Sequence, residues 1–92
     1  MKRYVAVYSR YHALRAEELN SYELAVGYLQ NGMKWGELFA HGIYDREAGA
    51  VYLTEGGPSA EFHTEQVMKA VGLDTPLAIA GHFPAFPDDE EE

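Results

Sequence analysis

Apolar residues alternate with polar or small residues in four short stretches of the chain, which is the pattern of half-buried β-strands. These stretches cover residues 3–9, 35–43, 50–55 and 77–83. The clearest signal is the middle pair, because only the polar segment 45–49 separates its two members. A short polar connection that ends in glycine is typical of a β-hairpin, since glycine readily adopts positive φ. We therefore predict a central hairpin over residues 34–55.

The segment between the first two strands carries signals for a helix. It is rich in helix-forming residues, and apolar residues recur at spacings of three and four. Asn20 precedes Glu23 by three residues, which is the spacing of a capping box, and Gly32 suits the end of a helix. Two alternatives remain open: one helix over about 11–31, or a short turn followed by a helix over about 21–31.

A second helix is predicted after the hairpin. Ser59 is a suitable N-cap, and Gly72 is a suitable end. The predicted buried stripe of this helix consists of Ala60, Thr64, Val67 and Val71. His63 falls outside the stripe, so we expect it on the helix surface.

The resulting order is β-α-β-β-α-β, the split arrangement of ferredoxin-like domains. We predict one α+β domain over residues 1–84, in which both helices cover one face of a four-stranded antiparallel sheet. Residues 85–92 would form a disordered acidic tail. On the helix side the sheet would present Val5, Val7, Phe39, Ile43, Val51, Leu53, Leu77 and Ile79.

Composition and charge narrow the classes of partner. The net charge is −8, of which the last five residues contribute −5, so residues 1–87 carry −3 from seven basic and ten acidic side chains. This balance argues against binding to a phosphate backbone and favours a basic protein surface. The chain has no cysteine, which excludes disulfides and thiolate metal sites and is compatible with a reducing cytoplasm, the expected location. No apolar run approaches the ~20 residues that span a bilayer.

The sheet face opposite the predicted helices is rich in tyrosine. Tyrosine is enriched at interfaces because it combines a large apolar ring with a polar tip. We therefore predict that this face binds another protein or a second copy of the chain. For the acidic tail two alternatives remain open: it docks into a basic groove of the partner, or it only keeps the chain soluble. The predicted partner-binding residues are Tyr4, Tyr8, Leu38, Tyr44, Tyr52, His82, Asp88, Asp89 and Glu90.

A ligand site is the first alternative. Gly56, Gly57 and Ser59 precede the second helix, where backbone N–H groups can hold an anion. This placement would suit a small-ligand or nucleotide-binding regulatory domain, although the lysine of a P-loop is missing.

Catalysis is the second alternative, based on His41 or His82 with a nearby carboxylate. The predicted register places these two histidines on opposite faces of the sheet, so they should not meet. Ser9 is interpreted as a residue at the end of a strand. The histidines do not show the converging spacing of metal ligands, so neither a metal nor a cofactor is expected.

The leading hypothesis is a non-enzymatic protein–protein interaction module. A small, acidic chain without cysteine is similar in kind to phage-encoded inhibitors that occupy nucleic-acid grooves on host proteins. That resemblance, which rests on size and charge, implies inhibition of a basic protein that handles nucleic acid.

Overall fold

Five strands and two helices make up the computed structural model, which describes residues 2–55 and 60–84. In chain order the elements are β1 (Tyr4–Arg10), β2 (Ala13–Leu19), α1 (Tyr22–Lys34), β3 (Phe39–Asp45), β4 (Ala50–Thr54), α2 (Ala60–Val71) and β5 (Ala78–Phe83). The strands form one sheet in the order β2-β1-β3-β4-β5. Only β4 and β5 are parallel neighbours. The α+β class is thereby confirmed, whereas the ferredoxin-like strand order is not found.

Strand β2 replaces the first part of the predicted helix. It pairs with β1 along seven residues, and the two strands are joined at Tyr11 and His12, which have φ values of 52° and 67°. Two consecutive residues in this left-handed region form the tight turn that matches the twist of a hairpin. Pairing along the whole strand outweighs helix propensity, which is a weak preference for each residue.

Helix α1 fits the second alternative, a turn followed by a helix, with shifted ends. The Oγ atom of Ser21 accepts a hydrogen bond from the N–H of Leu24 at 3.1 Å, so Ser21 rather than Asn20 is the N-cap. The helix continues past Gly32 and ends before Gly36, which has a φ of 71°. Gly32 is needed for close packing instead, because a Cβ at this position would overlap the side chain of Leu38.

The two helices lie on opposite faces of the sheet, so the prediction that they share a face is wrong. The sheet has a hydrophobic core on each face, and alternate residues of β1 belong to different cores. Ala6 and Tyr8 pack with Leu29 of α1, whereas Val5 and Val7 pack with Val67 of α2.

Strand directions explain this arrangement. The connections β2-α1-β3 and β4-α2-β5 both join parallel strands and progress in the same direction across the sheet. The strands of the first connection run opposite to those of the second. Such crossovers are right-handed in nearly all proteins, and two right-handed crossovers with opposite strand directions require helices on opposite faces.

A β-bulge interrupts the pairing of β1 with β3. Val7 pairs with Gly42 and Tyr8 with Ala40, which leaves His41 as an extra residue. A bulge changes the side towards which the following residues point. Ala40 and Ile43 accordingly face α1, while His41 faces α2 and contacts it.

The β3–β4 connection confirms the predicted hairpin, with Gly49 at a φ of 64°. Its conformation depends on the buried Asp45 carboxylate. Oδ1 accepts hydrogen bonds from the N–H groups of Glu47 at 3.0 Å and Ala48 at 3.3 Å, and the Arg3 guanidinium binds both oxygens at 2.9 and 3.0 Å. The bond from Arg3 contributes most, and together these bonds hold the pKa of Asp45 below its usual value.

Substitution Asp45→Asn is expected to lower the free energy of unfolding by about 1 kcal/mol at neutral pH. The amide can still accept the turn hydrogen bonds, but the charge that pairs with Arg3 is lost, and exposure of Arg3 keeps the effect small. Urea unfolding measures the difference.

Because the folded-state pKa is lowered, the contribution of Asp45 is present above its ordinary pKa of 3.8 and is lost as the pH falls through the lowered value. The difference between the two proteins should therefore shrink in strong acid. The control is Glu47→Gln, since Glu47 is 71% exposed at 3.5 Å from Arg3. An equal loss in this control would contradict the assignment to Asp45.

Candidate functional site

The predicted tyrosine-rich face is covered by α1 of the same chain. One hydroxyl of the pair Tyr8 and Tyr28 donates to the other at 3.0 Å, and this bond raises the pKa of Tyr28 to about 12. The rings of Tyr22 and Tyr52 have centroids 4.7 Å apart, and Tyr4 completes the cluster. This placement corrects the expectation that the face is open to a second protein.

The other predicted partner-binding residues do not converge. Leu38 packs against the core beneath α1, Tyr44 packs on the α2 side, and His82 is exposed on β5. Asp88, Asp89 and Glu90 lie outside the described residues, as do the predicted ligand-binding residues Gly56, Gly57 and Ser59. Within residues 2–55 and 60–84, the predicted partner-binding residues are therefore not brought together on one surface.

A different set of polar side chains does come together, on the α2 side of the sheet. Nδ1 of His41 lies 3.1 Å from Nδ1 of His63, and Nε2 of His41 lies 2.7 Å from Oγ of Ser9. The two histidines are only 1% and 2% exposed. Residues from β1, β3 and α2 thus form a continuous hydrogen-bonded chain, which we call the Ser9–His41–His63 relay.

Both imidazoles in this relay are uncharged at neutral pH. Burial, together with the neighbouring His63, lowers the pKa of His41 to about 4. Burial also lowers the pKa of His63. A neutral imidazole carries one N–H, so one Nδ1 donates to the other and the two tautomers are correlated.

The relay can adopt two proton arrangements. In one, the Ser9 hydroxyl donates to Nε2 of His41, and Nδ1–H of His41 donates to His63. In the other, both bonds are reversed. Either arrangement leaves Nε2 of His63 buried without a hydrogen-bond partner among the described residues.

Ser9 connects the relay to the surface. It is half-buried and borders a pocket of about 570 Å³. The pocket is lined by Ser9, Tyr11, His12, Gly36, Glu37, Leu38 and Phe39. Two aromatic residues there are exposed, Tyr11 at 85% and Phe39 at 48%. Ser9 is therefore the member of the relay that lines this pocket, whereas His41 and His63 do not line it.

The interpretation of His63 as a surface residue was wrong. The buried side of α2 contains His63 and Val67. Of the predicted stripe, Val67 is buried and Val71 packs on the same core, whereas Ala60 is exposed. A spacing of four between His63 and Val67 was the available signal. Nothing in the local pattern indicates the bulge that turns His41 towards α2.

A second concave surface lies between α2 and β5, with a volume of about 470 Å³. It is lined by Ala60, Glu61, Thr64, Glu65, Met68, Pro76, Leu77 and Ile79. We call it the α2–β5 groove. Among the described strands, β5 is an edge of the sheet, so the groove runs along an edge strand.

Among the described residues, no three His, Asp or Glu side chains converge as metal ligands would. In the same part of the chain, no helix is both long and apolar enough to cross a membrane. Comparison with known protein families, curated proteins and solved structures finds no match. A proposal for function therefore depends on the geometry of the chain itself.

Proposed function

We propose that this chain is a protein–protein interaction module that binds an extended, basic segment of a partner along β5 and the α2–β5 groove. The observation that supports the proposal is the chemistry of β5. Ala78, Ile79 and Ala80 are exposed at the edge of the sheet, and the strand contains no acidic or basic residue apart from His82. Open edge strands accept a further strand through backbone hydrogen bonds.

The opposite edge of the sheet shows how an edge is protected. Strand β2 carries Arg15, Glu17 and Glu18, all exposed. Charged side chains on an edge strand discourage pairing with another chain. Strand β5 lacks this protection, so the two edges differ in their capacity to accept a partner.

The groove favours a basic occupant with apolar side chains. Met68, Leu77 and Ile79 provide apolar contact area. Glu61 and Glu65 are exposed and one helical turn apart on α2, so their carboxylates lie on the same side. An extended segment that alternates apolar residues with Lys or Arg would fill the groove and meet both carboxylates.

The net charge of −8 extends this complementarity beyond the groove, because an acidic protein is attracted over a distance to a basic surface. A basic protein that handles nucleic acid is the partner that this chemistry suits best. Occupation of its basic surface would inhibit it by competition with the nucleic acid.

Selection from a random peptide display library tests this proposal with the full chain as the immobilised target. We expect enrichment of sequences that alternate apolar and basic residues, with affinity that falls as salt rises. The variants Glu61→Lys/Glu65→Lys and Ile79→Glu should each weaken binding of a selected peptide at least tenfold, which corresponds to about 1.4 kcal/mol.

The control is Glu17→Lys, which makes one such glutamate-to-lysine change on the β2 edge and should leave peptide binding intact. Enriched peptides without basic residues, or peptides that bind the groove variants and the original chain equally well, would refute the proposal. Circular dichroism of each variant confirms that the fold is retained.

A further inference from the structure

We propose that Ser9 is a nucleophile, activated by His41 and positioned through His63, and that it reacts with small activated acyl compounds in the neighbouring pocket. This inference does not depend on the binding proposal, since the two surfaces share no lining residue. A serine nucleophile needs a base within hydrogen-bond reach and a third group that orients the base. The distances of 2.7 and 3.1 Å in the relay meet both requirements.

Two features make Ser9 the only member of the relay that a substrate can reach. Ser9 borders the 570 Å³ pocket, which is lined by neither His41 nor His63. The ring of Phe39 lies edge-on to His41, with centroids 5.4 Å apart, and Phe62 lies 5.7 Å from it. These rings shield the base from water, while Ser9 itself lines the pocket.

The reaction balances with an ester and water alone. Ser9 Oγ attacks the carbonyl carbon, and its proton passes to Nε2 of His41. When the tetrahedral intermediate collapses, the bond to the alcohol oxygen breaks and the same proton leaves with the alcohol. Water then attacks acyl-Ser9, gives a proton to His41 and releases the acid, and Oγ recovers its proton.

His63 acts as a positioning residue. Its Nδ1 accepts the Nδ1–H of His41 in the arrangement that leaves Nε2 of His41 free to take the serine proton. A neutral imidazole stabilises the transient imidazolium less than a carboxylate would. We therefore expect rapid acylation of Ser9 by reactive reagents but slow turnover, which makes covalent labelling the appropriate assay.

The groups around His41 determine the dependence on pH. In the part of the chain that the structure describes, the side chains in hydrogen-bond or ring contact with His41 are Ser9 from β1, Phe39 from its own strand, and Phe62 and His63 from α2. His63 is the one titratable side chain among these four. Labelling should proceed at its full rate wherever His41 is neutral and should decline as His41 becomes protonated in acid.

The experiment treats the full chain with a fluorophosphonate probe and locates the adduct by mass spectrometry of peptides. Ser21, whose Oγ accepts the N–H of Leu24 as the N-cap of α1, serves as the internal control. We expect Ser9 to be labelled at least about 100-fold faster than Ser21, the typical contribution of a general base. Equal labelling of Ser9 and Ser21 in the unmodified, folded chain would overturn the proposal.

Variants separate catalysis from structure. Ser9→Ala should remove the adduct, and His41→Gln should slow labelling about 100-fold. His63→Leu should slow labelling and change its pH profile, whereas His63→Gln, which keeps an acceptor for Nδ1–H, should restore part of the rate. If His63→Leu folds and labels with the original pH profile, His63 has no positioning role.

Discussion

Acidification from neutral pH to about pH 4 is expected to lower the free energy of unfolding by on the order of 3 kcal/mol. The cause is the buried pair His41 and His63. Burial lowers the pKa of His41 from 6.5 to about 4 and lowers that of His63 as well. The folded state therefore binds these protons at a lower pH than the unfolded chain does. The contribution of the two histidines to stability is fully present above pH 6.5 and is lost as the pH falls from there towards the lowered pKa values of the folded state.

Urea unfolding at a series of pH values measures this loss. The pH window lies above the ordinary pKa of aspartate, 3.8, so titration of Asp45 contributes little to it. In His41→Gln we expect a much weaker dependence on pH, because one of the two buried groups no longer titrates. His82→Gln, at an exposed histidine on β5, should retain the original dependence. If the free energy of unfolding of His41→Gln falls with pH as steeply as that of the original chain, the buried pair is not the cause of the acid destabilisation.

Substitution Gly42→Ala is expected to destabilise the fold by about 2–3 kcal/mol, the effect of overpacking a filled core. A Cβ at position 42 would lie 2.8 Å from the backbone oxygen of Tyr52 and 3.2 Å from side-chain atoms of Val51 and Leu53. The oxygen belongs to the adjacent strand β4, so it cannot withdraw without disturbing the pairing of β3 with β4.

The control for this substitution is Gly27→Ala in α1. A Cβ at position 27 would have no atom within 4 Å, and alanine in a helix interior is favoured over glycine by about 0.5–1 kcal/mol. The same chemical change should therefore have opposite signs at the two positions. Thermal and urea unfolding of both variants tests this, and a destabilised Gly27→Ala or a neutral Gly42→Ala would contradict the packing argument.

Elements whose signal is local were predictable from the sequence. The hairpin over β3 and β4 needs only alternating residues and a loop that ends in Gly49, and all of these lie within a short stretch. The ends of α1 were less predictable, because Ser21, Asn20 and Gly32 all carry signals of a helix end. Gly32 lies inside the helix, where the absence of a side chain leaves room for Leu38.

The sheet topology was not predictable by the same reasoning. Residues 13–19 contain good helix formers, yet they form β2, because a two-residue left-handed turn at Tyr11 and His12 returns the chain along β1. Neither residue is a glycine or an asparagine, so the turn has no sequence signature. One missed strand changed the strand order and, with it, the face on which each helix packs.

The relay was hidden for a related reason. Ser9, His41 and His63 are separated by 22 residues or more, and two of them were assigned to surface or strand-end positions from local pattern alone. A bulge moves His41 out of the alternation that would predict its direction. Long-range pairing, rather than propensity, brings the three side chains together.

The unequal edges of the sheet limit how far any assembly through β5 can grow. If a second copy paired its own β5 with this strand, the two-fold symmetric contact would use up both open edges and leave a charged β2 at each end of the joined sheet. Such a contact is closed, whereas a repeating head-to-tail contact would need two complementary edges on each molecule. Growth by edge pairing therefore stops at one added chain, and a fibre has no edge from which to propagate.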